Sequence, residues 1–87
     1  MSTRKAASAV TADLSDDGVA RFEALRAWRS GAAKDRGVPA YTVFHDATLR
    51  AMAQRHPSSL DELAEVSGVG AAKLDRYGEA VLEVLRG

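Results

Sequence analysis

Apolar residues recur along this chain at helical intervals, and every segment with an unambiguous pattern reads as a helix. Phe22, Leu25, Trp28 and Ala32 share one face of a first helix. It starts near Ser15 to Asp17, where cap oxygens and negative charge suit a helix N-terminus. Gly31 weakens this helix, and Gly37-Val38-Pro39 ends it. Ala40 to Phe44 has strand-like propensity but no second strand to pair with, which predicts an extended or one-turn connector. Asp46 is expected to cap the next helix, with Ala47, Leu49, Met52 and Ala53 inward and Pro57 beyond its end. Ser59-Leu60-Asp61-Glu62 reads as a capping box opening a helix that buries Leu60, Leu63 and Val66. After Ser67-Gly68-Val69-Gly70 comes a helix carrying Leu74 and Tyr77. Gly78 is expected to break or bend it, leaving a last helix with Val81, Val84 and Leu85 inward. The fold class is all-α: a compact bundle of about five short helices with a helix-hairpin-helix-like Gly-Val-Gly turn. Residues 1–15, rich in Ser, Thr and Ala, read as a flexible leader or interdomain linker, and 16–87 as the folded domain.

The Gly-Val-Gly turn carries the candidate chemistry. Glycine lets backbone approach a ligand closely, and the N-terminus of the following helix presents unpaired N–H groups and a positive dipole end. With Lys73 in that first turn, Gly68 to Ala72 can cradle a phosphate, or the glycines can simply close a tight helix–helix turn. The segment is not a P-loop, which needs four residues between its glycines and a Gly-Lys-Ser/Thr ending.

Composition narrows the function classes. At 87 residues, 46% hydrophobic, the chain makes one domain at most, with a small core. Absence of cysteine excludes disulfides, iron–sulfur clusters and thiolate zinc sites. No apolar run approaches the ~18 residues of a membrane span, and no signal-peptide pattern is present. Twelve basic and twelve acidic residues cancel, which argues against tight sequence-independent DNA binding. Their distribution is uneven. Arg21, Arg26, Arg29, Lys34 and Arg36 dominate the first helix and its end, while Asp61, Glu62, Glu65, Asp75, Glu79 and Glu83 dominate the C-terminal third. His45-Asp46 lacks a nucleophile or second carboxylate, and His45 and His56 are not at zinc-ligand spacing. Asp61, Glu62 and Glu65 form a solvated acidic face by default. Nothing in the sequence supports catalysis, a cofactor or a metal.

Several blocks in order carry a family resemblance. They are Phe22-Glu23-Ala24-Leu25-Arg26-Ala27-Trp28-Arg29, Val38 to Leu49, His56-Pro57-Ser58-Ser59-Leu60-Asp61-Glu62-Leu63, and Val66 to Gly70 with Lys73-Leu74 and Arg76-Tyr77-Gly78. From about Val19 to Leu85 the chain resembles the HRDC (helicase and RNase D C-terminal) domain. The block Val43 to Leu49 looks most like HRDC domains of bacterial RecQ-type DNA helicases. The resemblance implies a five-helix, non-catalytic accessory fold of an ATP-dependent helicase active in DNA repair and recombination. It implies weak, structure-selective DNA binding, or tuning of the parent through protein contacts. The aromatic of its Pro-x-Tyr segment is Tyr41, with Lys34 and Arg36 just before it.

The expected contact face is Lys34, Arg36, Tyr41, Lys73 and Arg26, with the hairpin glycines Gly68 and Gly70 offering backbone to one phosphate. Basic side chains would hold the backbone of single-stranded or branched DNA, and Tyr41 would stack on a base or instead pack over the following helix. Trp28, in the core or half-buried, is expected to send its indole N–H to a backbone carbonyl. Arg29 is expected to pair with an acid of the C-terminal third rather than to neutralise phosphates in a stripe with Arg21 and Arg26, and Arg50, Arg55 and Arg76 are expected to be solvated. The domain is expected to be monomeric, cytoplasmic and nucleoid-associated. The alternative is a regulatory module whose acidic C-terminal third docks on the parent helicase or a partner without touching DNA.

Overall fold

In the computed structural model, which describes residues 14–87, α1 spans Asp16–Arg36, α2 Ala40–Val43, α3 Asp46–Arg55, α4 Leu60–Ala64 and α5 Ala71–Arg86. No strand occurs among the described residues. The leader expected over residues 1–15 lies, apart from Leu14 and Ser15, outside them.

Local chemistry sets each helix end. Ser15 Oγ accepts the Gly18 N–H at 3.1 Å, and Asp16 and Asp17 occupy the positive end of the α1 dipole. At the other end, Gly37 turns left-handed at φ 68°. Its N–H reaches Lys34 O at 3.1 Å and the Val38 N–H reaches Ala33 O at 3.0 Å, a Schellman turn. Residues 40–43 resolve as a single helical turn, stapled by Thr42, whose hydroxyl and N–H both donate to Pro39 O (2.6 and 3.0 Å).

Two expected caps differ from the sequence reading. Asp46 is the first residue of α3, not its cap; His45 holds the cap position without a side-chain bond, because the Asp46 carboxylate is drawn to Arg29 instead. At α4, Ser59 Oγ accepts the Glu62 N–H at 3.2 Å as the capping box requires. The Glu62 carboxylate, however, turns one residue further back, to the N–H and hydroxyl of Ser58 (2.8 and 3.1 Å).

Gly78 does not break the last helix, which runs unbroken over 16 residues. A Cβ there would stand 2.7 Å from Leu60 Cδ2 and 3.3 Å from Leu74 Cδ1. The missing side chain is the space into which α4 packs on α5. Five helices therefore result by a different partition: the 40–44 connector supplies one, and the two expected last helices are one.

The core lies where α1 meets α2, α3 and α5. Phe22, Leu25 and Ala33 of α1 join Val43 and Phe44, Leu49, Met52 and Ala53 of α3, Leu63 of α4, Val66 and Val69 of the turn, and Val81, Leu82 and Leu85 of α5. Burying each of the larger side chains stabilises the fold by about 1.5–3 kcal/mol. Leu82 takes the inward place expected of Val84, which is half-buried, while Ala47 and Leu60 lie outside the core. The buried stripe of α1 also contains Arg29, only 8% exposed.

Candidate nucleic-acid interface

Three segments distant in sequence converge beside the N-terminus of α5. Arg36 and Val38 come from the end of α1, Thr42 from α2, and Ala72, Lys73, Arg76 and Tyr77 from the first turns of α5. They line a groove of about 320 Å³ with three cations and no carboxylate. Lys73, Arg76 and Tyr77 meet there because positions three and four apart share a helix face.

Tyr77, which lines this groove, belongs to a cluster of three aromatic rings. Trp28 packs against Phe44 (centroids 6.1 Å, 37°) and edge-on to Tyr77 (5.6 Å, 82°), and Phe44 meets Tyr77 at 5.7 Å and 61°. The Trp28 side chain is half-buried by these rings, and its indole N–H makes no hydrogen bond among the described residues, contrary to expectation. Phe44 is 1% exposed and supports Lys73 from below, with the ammonium 5.5 Å from its ring centroid. The same ammonium donates to Thr42 O at 2.9 Å, tying α5 to α2. One of its three donors is thus used, and the others remain for a ligand.

The turn before α5 assigns its glycines distinct roles. Gly68 adopts φ 95°, and a Cβ there would collide with Thr48 Oγ1. This glycine lets the turn close against α3, the structural role. Gly70 caps α5 in ordinary extended backbone (φ −83°, ψ 170°) with open space around it. No side chain caps α5, so the N–H groups of its first turn point outward without intrahelical acceptors, beside the Ala72 and Lys73 edge of the groove.

Tyr41, 60% exposed, does not line this groove. It borders a shallow depression with Arg29, Ala40, His45, Asp46 and Ala47. Its ring lies 6.0 Å from the His45 ring, 26° from parallel. It does not pack over the following helix, one of the two roles expected of it. The one-turn α2 is a ridge that carries Tyr41 at this depression and Thr42 at the cation groove.

Arg29 beneath this ridge is structural. Its Nη1 donates to Phe44 O at 2.9 Å and to Asp46 Oδ1 at 2.7 Å, while its buried Nε has no partner. Internal pairing was expected, but with an acid of the C-terminal third; the partner is on α3. Asp46 is therefore occupied, which leaves no His45–Asp46 dyad.

Of the expected contact residues, Arg36 and Lys73 are brought together, with Gly70 beside them. Lys34 is exposed on the last turn of α1 and lines neither groove nor depression. Arg26 is separated: ten residues before Arg36, or about 15 Å along the axis, it pairs with Glu23 at 3.6 Å and borders a different depression. Arg21 is likewise occupied, its Nε donating to Ala53 O at 2.9 Å. Sequence reasoning missed Arg76 and Tyr77. Their spacing from Lys73 was the signal that would have found them. The acids Glu62 and Glu65 are held by Ser58 and, at 3.5 Å, by Arg55. Accepting the Ser58 N–H, then its hydroxyl, lowers the Glu62 pKa below the usual carboxylate value.

Fold and groove together define a small helical module whose exposed chemistry is electrostatic and aromatic. Comparison with known proteins places it. The HRDC domain family matches residues 19–85. The solved structure of D. radiodurans RecQ HRDC domain 3 superposes with a TM-score of 0.77 at 42% identity, covering 79% of this chain and 91% of that one. The chain is 46% identical over 63 residues to the ATP-dependent DNA helicase UvrD2 of Mycobacterium tuberculosis, and 38% identical over 65 residues to RecQ of Pasteurella multocida. These alignments take in 72% and 75% of this chain but only 9% and 10% of those helicases. The chain belongs to the HRDC domain family, the non-catalytic accessory domains of RecQ-type helicases. Among the described residues no helix is long and apolar enough to cross a membrane.

Proposed function

We propose that this domain, residues 16–87, gives a parent ATP-dependent DNA helicase a weak, salt-sensitive hold on single-stranded or branched DNA and thereby modulates that enzyme. The observation that carries the reading is the groove in which Arg36, Lys73 and Arg76 face no carboxylate. A neutral protein that keeps three cations together and unopposed has a local positive field despite its zero net charge. Backbone phosphates are the polyanion such a groove suits, and the relatives are named DNA helicases. In this reading Arg36 and Arg76 neutralise phosphates, Lys73 offers its remaining donors, the α5 N-terminus takes one phosphate, and Tyr41 stacks on a base. The domain works as a monomer in the cytoplasm at the nucleoid.

Titration of the domain with fluorescent single-stranded and forked DNA, at low and near-physiological salt, tests this. Saturable binding that weakens steeply with salt is expected. Absence of binding even at low salt overturns it and favours the second reading. That reading has one supporting observation: Asp61, Asp75 and Glu79 are exposed, acids suited to a basic patch on the parent. Reversing Glu79 and Glu83 would then alter the parent's activity while Tyr41→Ala would not.

A further inference from the structure

We infer that His45 and Tyr41 form a single two-ring platform for an unpaired nucleobase, making His45 a base-contacting residue of the proposed DNA interface. The inference rests on the DNA-binding reading and extends it from the phosphate backbone to the bases. Both residues are exposed. Their ring centroids lie 6.0 Å apart and 26° from parallel, within the range of offset rather than sandwich stacking. An offset pair leaves more of each ring's face open than a sandwich would.

The backbone that carries His45 is fixed on both sides by one buried group. The Arg29 Nη1 holds the carbonyl of the preceding residue, Phe44, at 2.9 Å and the carboxylate of the following one, Asp46, at 2.7 Å. Phe44 is itself clamped in the core, and α2 is closed by the Thr42 bonds to Pro39. Fixing this backbone before binding lowers the freedom lost on stacking. A strand crossing the α2 ridge would set its phosphates in the groove of Arg36, Lys73 and Arg76 and one base on the Tyr41–His45 side. Stacking on aromatic faces tolerates any base.

Two oligonucleotides of equal length, one of deoxythymidine and one of abasic sugar-phosphate units, separate base contacts from phosphate contacts. His45→Ala is expected to weaken binding of the base-bearing strand roughly three- to tenfold and to leave the abasic strand unaffected. His45→Phe, which keeps a ring, is expected to restore binding. Both side chains are exposed, and thermal melting confirms that the variants fold. If His45→Ala leaves base-bearing affinity unchanged while Tyr41→Ala lowers it, the platform is wrong and the DNA reading stands. If neither strand binds the unaltered protein, the DNA reading itself fails, and the platform with it.

Discussion

The two ends of this small bundle handle charge in opposite ways. Near the α3–α4 connection, Arg55 faces Glu65 at 3.5 Å and Glu62 is held by Ser58, so these three charges are answered inside the fold. Beside the α5 N-terminus, Arg36, Lys73 and Arg76 share a groove with no acid at all. The formal charge of zero is an average over these regions and describes neither. A charge answered locally is a feature of structure. A cluster left unanswered is a feature that a partner can use.

The largest effect is expected from removing the buried ring that backs Lys73 and Tyr77 of the groove. Phe44→Ala deletes a fully buried ring that supports Trp28, Tyr77 and Lys73, and should cost about 3–5 kcal/mol in denaturant unfolding. Arg29→Met should cost less, about 1–3 kcal/mol, because the half-exposed Asp46 it abandons can be hydrated. Asp46→Asn instead leaves the buried guanidinium without its counter-charge and should also destabilise. In the groove the outcome inverts. Replacing Arg36 and Arg76 by Gln should leave stability within about 0.5 kcal/mol while weakening DNA binding. At the paired end Arg55→Gln should leave DNA binding unchanged and cost at most about 1 kcal/mol of stability, as exposed ion pairs do.

The smallest effect is on acid stability. The folded-state pKa of Glu62 is depressed by the Ser58 bonds. Its contribution is therefore present above the unfolded carboxylate pKa and lost as pH falls through the lower folded value. Glu62→Gln should flatten that part of the stability–pH curve slightly, measured by urea unfolding across the acid range.

Much of the fold was legible because the dominant signals are local. Caps at Ser15 and Ser59, the stop at Gly37 and the apolar spacing of α1 and α3 act within a turn or two of chain. What escaped was set by distant partners. Gly78 has the composition of a helix breaker, yet Leu60 needs the space, and no local rule contains Leu60. Asp46 has the composition of a cap, yet Arg29, 17 residues earlier, outcompetes the backbone for it. The site shows the same division. Lys73 and Arg36, expected from their proximity to the turn and to Tyr41, both line the groove; Arg76, exposed as expected, joins them because residues from α1 and α2 arrive beside it. Arg26 was included as part of a basic stripe, but the helix carries it away and Glu23 pairs it.

The central claim is that the unopposed cations of the groove meet phosphates. Its most direct test is the salt dependence of single-stranded DNA affinity for the unaltered domain and for the Arg36→Gln, Arg76→Gln double variant. Each lost phosphate contact should lower the slope of log affinity against log salt by about 0.7, so the pair should lower it by about 1.4. An unchanged slope with unchanged affinity would place the DNA, if it binds, elsewhere on the molecule.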